Sequence, residues 1–161
     1  MPTETRVDLH YDHWGSRLRQ IGSLSIEYDQ LGTRARRLGE TELHYDQMGT
    51  RLKFIGDTEV HYDHLGSRAR YLGELELRYD WLGSRLRWID GIKLEYDWLG
   101  SRLRHIGHLR LEYDRLGFRP VAVVSDEGAD LEGGWLPLIF FVLYLRQRSQ
   151  AAASGSSGTS H

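Results

Sequence analysis

The stretch Leu24-Ser-Ile-Glu-Tyr-Asp-Gln-Leu-Gly-Thr-Arg-Ala-Arg-Arg-Leu-Gly-Glu40 decides the architecture, because the chain repeats it. Tyr-Asp recurs at 11–12, 28–29, 45–46, 62–63, 79–80, 96–97 and 113–114, always at a spacing of 17 and without insertion. Gly15, Gly32, Gly49, Gly66, Gly83, Gly100 and Gly117 keep the same register. A register held seven times from Val7 to about Arg119 defines a tandem array.

Each unit holds two short runs divided by turn residues. Leu24–Asp29 alternates apolar and polar, the period of a strand. Arg51–Ile55 is equally short and bounded by Gly. Recurring Gly argues against a continuous helix. Two strands per unit are predicted, with a degenerate last strand over Arg119–Val124.

Loop length sets hairpin register. Gly22-Ser23, Gly39-Glu40, Gly56-Asp57, Gly73-Glu74 and Gly107-His108 suit two-residue type II′ turns, and Asp90-Gly91 suits type I′. Ile21 is therefore expected opposite Leu24. The Asp-x-Leu-Gly-Ser/Thr turn suits type I with Gly in a left-handed bulge. That places Asp12 opposite Ser16 and Tyr11 opposite Arg17. Equivalent residues then lie level, and a barrel needs stagger to close. The expectation is an all-β fold: an open, twisted antiparallel β-meander of about 14 short strands built from seven 17-residue hairpin repeats. Such a ribbon would run ~65 Å.

In this register one face carries an apolar margin (Val7, Ile21, Leu24) and a middle row alternating Leu9, Arg19, Ile26 and Arg36. Its other margin is a structural ladder of Tyr11, Arg17, Tyr28, Arg34, Tyr45, Arg51, Tyr62, Arg68, Tyr79, Arg85, Tyr96, Arg102 and Tyr113. Each guanidinium over a phenol ring contributes about 0.5–1 kcal/mol when exposed. Stacking also explains the use of 19 Arg against 2 Lys. The second face carries Asp12, Ser16, Asp29 and Thr33, then Glu27, Ala35, His44 and Leu52, then Gln20, Arg37, Phe54, Tyr71, Trp88 and His105. A four-residue Tyr-Asp turn would instead set Asp12 against Arg17 and Tyr11 against Leu18, segregating apolar from charged residues. The short-loop signals favour the first register. Either way, the more apolar face calls for cover, a protein partner or self-association.

The 161 residues suit one domain. Residues 1–124 read as the repeat domain, 125–134 as an acidic loop, 135–148 as an apolar capping segment and 149–161 as a disordered Ser/Gly-rich tail. The capping segment allows a helix of three turns after Pro137, and its Ile, Phe, Val and Tyr content allows a strand. Its apolar run Trp135–Leu145 is too short to cross a bilayer of ~30 Å, so a membrane partner is not expected. The first twelve residues have neither a basic nor an apolar region, so no signal peptide is read and the cytoplasm is the default. A net charge of -2 argues against nucleic acid as partner. There is no Cys for disulfides or thiolate metal sites.

His10 with His13 and His61 with His64 have a spacing that suggests metal ligands. Other repeats place Glu, Arg, Gln or Trp there, and repeats lie ~9.6 Å apart, too far to share an ion. The Asp column is explained by turn formation. No carboxylate pair, phosphate loop or nucleophile elbow stands out, so no enzyme, metal or cofactor is expected. Trp81 and Trp98 occupy one turn position in consecutive repeats, a spacing suited to sugar rings or a protein surface.

The Tyr-Asp-x-x-Gly core resembles the YD-repeat family of Rhs-type proteins over residues 7 to about 119. The resemblance implies tandem β-hairpins that coil into shells, often around toxin domains, on secreted or surface-associated polypeptides, some with ascribed carbohydrate binding. This repeat is shorter, has an aliphatic residue where a second Tyr often stands, and inserts Ser/Thr before Arg, and the chain is far too small to build a closed shell of that kind. The resemblance brings no catalytic residues. The expected function is a non-enzymatic β-repeat scaffold or protein-interaction module, with a carbohydrate-binding module using Trp81 and Trp98 as the alternative.

Overall fold

The computed structural model describes residues 4–12, 17–30, 34–47, 51–63, 68–80, 85–97, 102–117 and 119–158, with backbone alone at 133 and 148–158. The strands are β1 (Thr5–Tyr11), β2 (Leu18–Ile21), β3 (Leu24–Tyr28), β4 (Ala35–Leu38), β5 (Thr41–Tyr45), β6 (Leu52–Ile55) and β7 (Thr58–Tyr62). They continue as β8 (Ala69–Leu72), β9 (Leu75–Tyr79), β10 (Leu86–Ile89), β11 (Ile92–Tyr96), β12 (Leu103–Ile106), β13 (Leu109–Tyr113) and β14 (Pro120–Ser125). A 3-10 turn (Leu131–Gly133) leads into helix α1 (Trp135–Gly158). The strands pair antiparallel in chain order, and β14 returns to β1, so the sheet is a closed barrel and not an open meander.

The Gly turns hold the expected register: Ile21 faces Leu24 and Leu38 faces Thr41. Five of them open on a left-handed Gly, for example Gly56 at φ 60. In the sixth, Asp90 itself takes the left-handed position at φ 53, and Gly91 does not follow it there. That is the type II′ pattern, not the type I′ expected from Asp-Gly. The flanking strands impose one backbone on every copy and override the local dipeptide.

The Tyr-Asp hairpin takes the longer register. Tyr11 faces Leu18 rather than Arg17, and Asp12 N–H donates to the Arg17 carbonyl at 2.8 Å. Ser16, the expected partner of Asp12, lies outside the described residues. The next pair is His10 with Gln20, which leaves Arg19 as a one-residue bulge. The same step recurs with Tyr28 on Ala35 and Tyr45 on Leu52. The bulge corrects the expected rows. Arg36 and Arg37 both point outward while Ala35 and Leu38 point inward, giving each even-numbered strand from β4 to β12 two buried ends and a more exposed middle. The expected mixed rows, Leu9 with Arg19 and Glu27 with Ala35, do not form.

Longer turn and bulge together supply the stagger. Leu9 lies level with Ile21, and Ile21 with Leu24, the counterpart of Val7. Each repeat is displaced by two residues, and β14 closes with the same step, Leu111 to Val123 to Val7. Seven steps give a shear equal to the strand number. That ratio sets a strand tilt of about 36°, as in eight-stranded barrels of shear eight. The implied wall radius is about 13 Å.

A helix with its side chains has a radius of about 5–6 Å, so the lumen has room for one helix and an inward layer of strand side chains. α1 fills it. Ile139, Phe140, Phe141 and Val142 are all buried, and four consecutive residues sweep most of the way around a helix. Tyr144 Oη accepts from Leu52 N–H at 2.9 Å on one wall, and the Arg146 guanidinium lies over the Tyr96 ring on another. The apolar segment is thus a plug inside the barrel. The more apolar sheet face lines the lumen and needs no second copy to cover it. The helix continues through residues that read as a tail in the sequence.

β14 departs from the repeat and forms the seam. Its outward Ala122 and Val124 are fully buried beneath an ion pair from β1 to β13, Arg6 to Glu112 at 2.7 Å. An open meander would leave β1 and β14 as free edges; here they pair with each other.

A Cβ at Gly56 would be strained at that φ and would meet Thr41 Cγ2 at 3.0 Å. Gly56→Ala should cost about 1–2 kcal/mol, whereas Asp90→Gly should be neutral or stabilising by up to about 1 kcal/mol. Urea unfolding midpoints of the two variants check both signs.

Candidate functional site

The tyrosine end of the barrel carries one unit repeated around the ring. Asp12 Oδ2 accepts from Arg17 Nε at 2.7 Å, and the Arg17 guanidinium lies 5.0 Å from the centre of the Tyr28 ring. Tyr28 Oη donates to the Leu18 carbonyl at 2.7 Å, beside the bulge. Each Arg therefore stacks on the Tyr of the following repeat. The circuit closes on itself: Arg119 covers Tyr11, and Tyr11 Oη donates to the Pro120 carbonyl at 2.7 Å. Planar guanidinium suits this double role, because its edge meets a carboxylate while its face meets a ring.

The carboxylates are the buried members. The Asp12 side chain is 5% exposed, against 33% for Arg17. Among the described residues, no buried side-chain polar atom lacks a partner. Burial pushes the Tyr11 and Tyr79 phenols up to about 12, with the neighbouring guanidinium groups pulling the other way. Burial likewise raises Tyr28, Tyr45, Tyr96 and Tyr113. The phenols are thus held as neutral donors. The ladder residues read from the sequence are brought together, and what they do is satisfy one another.

The other end is closed from one side by the chain leaving β14. Thr5 Oγ1 donates to the Ala129 carbonyl at 2.7 Å, Ser23 Oγ donates to Glu132, and the His108 ring meets Trp135 edge-on at 5.7 Å. A recess of about 430 Å³ remains between Ile92, Asp130, Gly134, Trp135 and Leu138.

The outer wall carries the remaining chemistry. Every strand of β1–β13 presents at least one Asp, Glu, Lys or Arg outward. Tyr71 and Trp88 stand out among them, exposed and one repeat apart. Phe54 precedes them in the same row, which was visible in the sequence as an aromatic run at a period of 17. Neither the scaffold expectation nor the glycan expectation draws on that row. Trp81 and Trp98, with His13 and His64, lie outside the described residues. Among the described residues no group of three or more His, Cys, Asp or Glu is placed to hold a metal ion. Comparison with protein-family models, curated proteins and solved structures finds no match for the chain.

A phenol whose ionisation is suppressed in the folded state favours folding fully below its unfolded value near 10 and loses that contribution as pH rises through its folded value. Stability should therefore fall between pH 10 and about 12, where Tyr11 and Tyr79 ionise. Tyrosinate absorbance and circular dichroism followed together should change in one cooperative step. Phenols titrating freely near pH 10 with no structural change would contradict the ladder.

Proposed function

We propose that the chain is a non-enzymatic β-repeat scaffold. It is a small shell that encloses its own C-terminal helix and offers its charged outer wall to a binding partner. The observation that supports this most directly is the sevenfold Asp-Arg-Tyr circuit. It engages the repeated polar side chains with one another and distinguishes no single repeat as a reaction centre. General acid–base work needs a group set apart in geometry or ionisation, and the circuit makes its members equivalent.

The filled lumen fits the same reading. The resemblance to YD-repeat arrays supports the hairpin array; those arrays form large shells, often around toxin domains, whereas this barrel holds one helix. Outward charge on β1–β13 suits a water-facing wall, because a lipid-facing barrel presents an apolar band instead. With β1 and β14 paired, partner binding would use side chains of the wall or the turns rather than strand addition. The glycan reading based on Trp81 and Trp98 remains a separate expectation about the turns.

The expected outcome is saturable binding of a partner captured by the full chain, with no turnover across a broad hydrolase panel. Turnover that disappears on a single substitution in one repeat would contradict the scaffold reading.

A further inference from the structure

Charge is unevenly spread along the barrel axis. The Gly turns carry Glu40, Asp57, Glu74 and Asp90, and none of these turns carries Lys or Arg. The chain between β14 and α1 adds Asp126, Glu127, Asp130 and Glu132 at the same end, again without Lys or Arg. All of these carboxylates are exposed. Arg6 and Arg110, on the strands β1 and β13 that flank β14, are already tied to Asp8, Glu112 and Asp126 at 2.7 to 3.1 Å. At the opposite end, each Asp of the circuit is matched by an Arg.

The recess of about 430 Å³ opens within this acidic end. Ile92 of β11 and Leu138 of α1 give it an aliphatic floor, Trp135 an aromatic wall and Asp130 a carboxylate. Asp130 makes no capping hydrogen bond to the 3-10 turn that follows it, and among the described residues no other group engages it. Gly134 completes the lining, although its backbone does not call for Gly. Its φ of 175 is extended, and a Cβ there would meet nothing within 4 Å. A side chain at this position would take up space that Gly134 leaves open. Asp90, two residues before Ile92, is the one described non-Gly residue in the left-handed region, at φ 53. The repeat beside the recess thus keeps a carboxylate where the other Gly turns place Gly.

Apolar walls inside a ring of carboxylates focus a negative potential, which repels anions and draws cations. A hard metal ion needs several oxygen ligands. Asp130 is the one carboxylate that lines the recess, and among the described residues no group of three or more His, Cys, Asp or Glu is placed to hold an ion. A neutral apolar molecule would cover Asp130 without replacing its hydration. An organic cation suits every wall. Its hydrocarbon body lies on Ile92 and Leu138, and its ammonium group meets Asp130 within reach of the Trp135 ring. The volume is that of a small molecule. The geometry points to a binding site for a small alkyl- or arylammonium ion at the mouth of the barrel, held between Asp130 and Trp135. The site goes beyond the scaffold reading, which concerns the outer wall.

Calorimetry and proton NMR of the full chain would use phenethylammonium and choline as probes. Their neutral isosteres, 2-phenylethanol and 3,3-dimethylbutanol, would be run beside them, with phenylacetate, calcium chloride and a hexalysine peptide. Saturable one-to-one binding of a cation is expected, about tenfold tighter than its neutral isostere and weakened by added salt. Asp130→Asn should weaken it about fivefold, and Gly134→Leu, which fills the recess, about tenfold or more, both at unchanged circular dichroism and thermal midpoint. Glu40→Gln, on the far side of the mouth, should change it less than about twofold. The inference is overturned if neither cation binds, if a neutral isostere or phenylacetate binds as tightly, if binding survives both recess substitutions, or if calcium or hexalysine binds in preference. Each of those results leaves the scaffold reading standing. Turnover in the hydrolase panel would remove that reading and leave a measured ammonium site intact.

Discussion

Two extra residues in every repeat, one in the Tyr-Asp turn and one in the bulge beside it, decide the shape of this molecule. The bulge at Arg19 and its counterparts, added to the longer Tyr-Asp turn, displaces each repeat by two residues relative to the last. Without displacement the sheet is a ribbon with two open edges. With it, seven repeats accumulate the shear that fourteen strands need in order to meet. The wall radius follows from that shear, and the radius in turn admits one helix. Closure and plug are therefore consequences of the longer turn and the bulge repeated in register.

The Asp-Arg-Tyr circuit stabilises both features. A bulge disrupts the backbone ladder, and the phenol of the following repeat donates to the carbonyl beside it. The guanidinium covers that phenol and grips the carboxylate at the start of the turn. Because each unit leans on the next, the circuit has no loose end once Arg119 reaches Tyr11. The last strand departs from the repeat for a related reason. It must pair on both sides beneath the Arg6–Glu112 bridge, and the small outward Ala122 and Val124 leave room for that bridge.

Much of this was legible. The period of 17 gave the hairpins, the Gly dipeptides gave one turn, and the alternation of Tyr and Arg gave the ladder. The bulge was not read, although its signature was present: an apolar residue, two polar residues and another apolar residue, as in Ala35-Arg-Arg-Leu38. A strict period of two assigns the two ends of that segment to opposite faces, whereas the structure buries both. The type I turn was correct in kind where it is described, with Gly117 left-handed at φ 77 and its N–H donating to the Asp114 carbonyl. Two misplaced residues, one in the turn and one in the bulge, thus turned a barrel into a ribbon. The helix was undetermined for a different reason: a segment apolar on all sides has no periodicity to separate helix from strand.

Closure itself is open to direct measurement, since the chain has no Cys and accepts site-specific labels. Asp8 and Glu112 both lie level with Ala122, on either side of β14. Spin labels on Asp8→Cys and Glu112→Cys should report a short separation consistent with backbones about 10 Å apart. A separation of roughly 60 Å, the span of an unrolled sheet, would contradict the barrel and everything derived from its stagger.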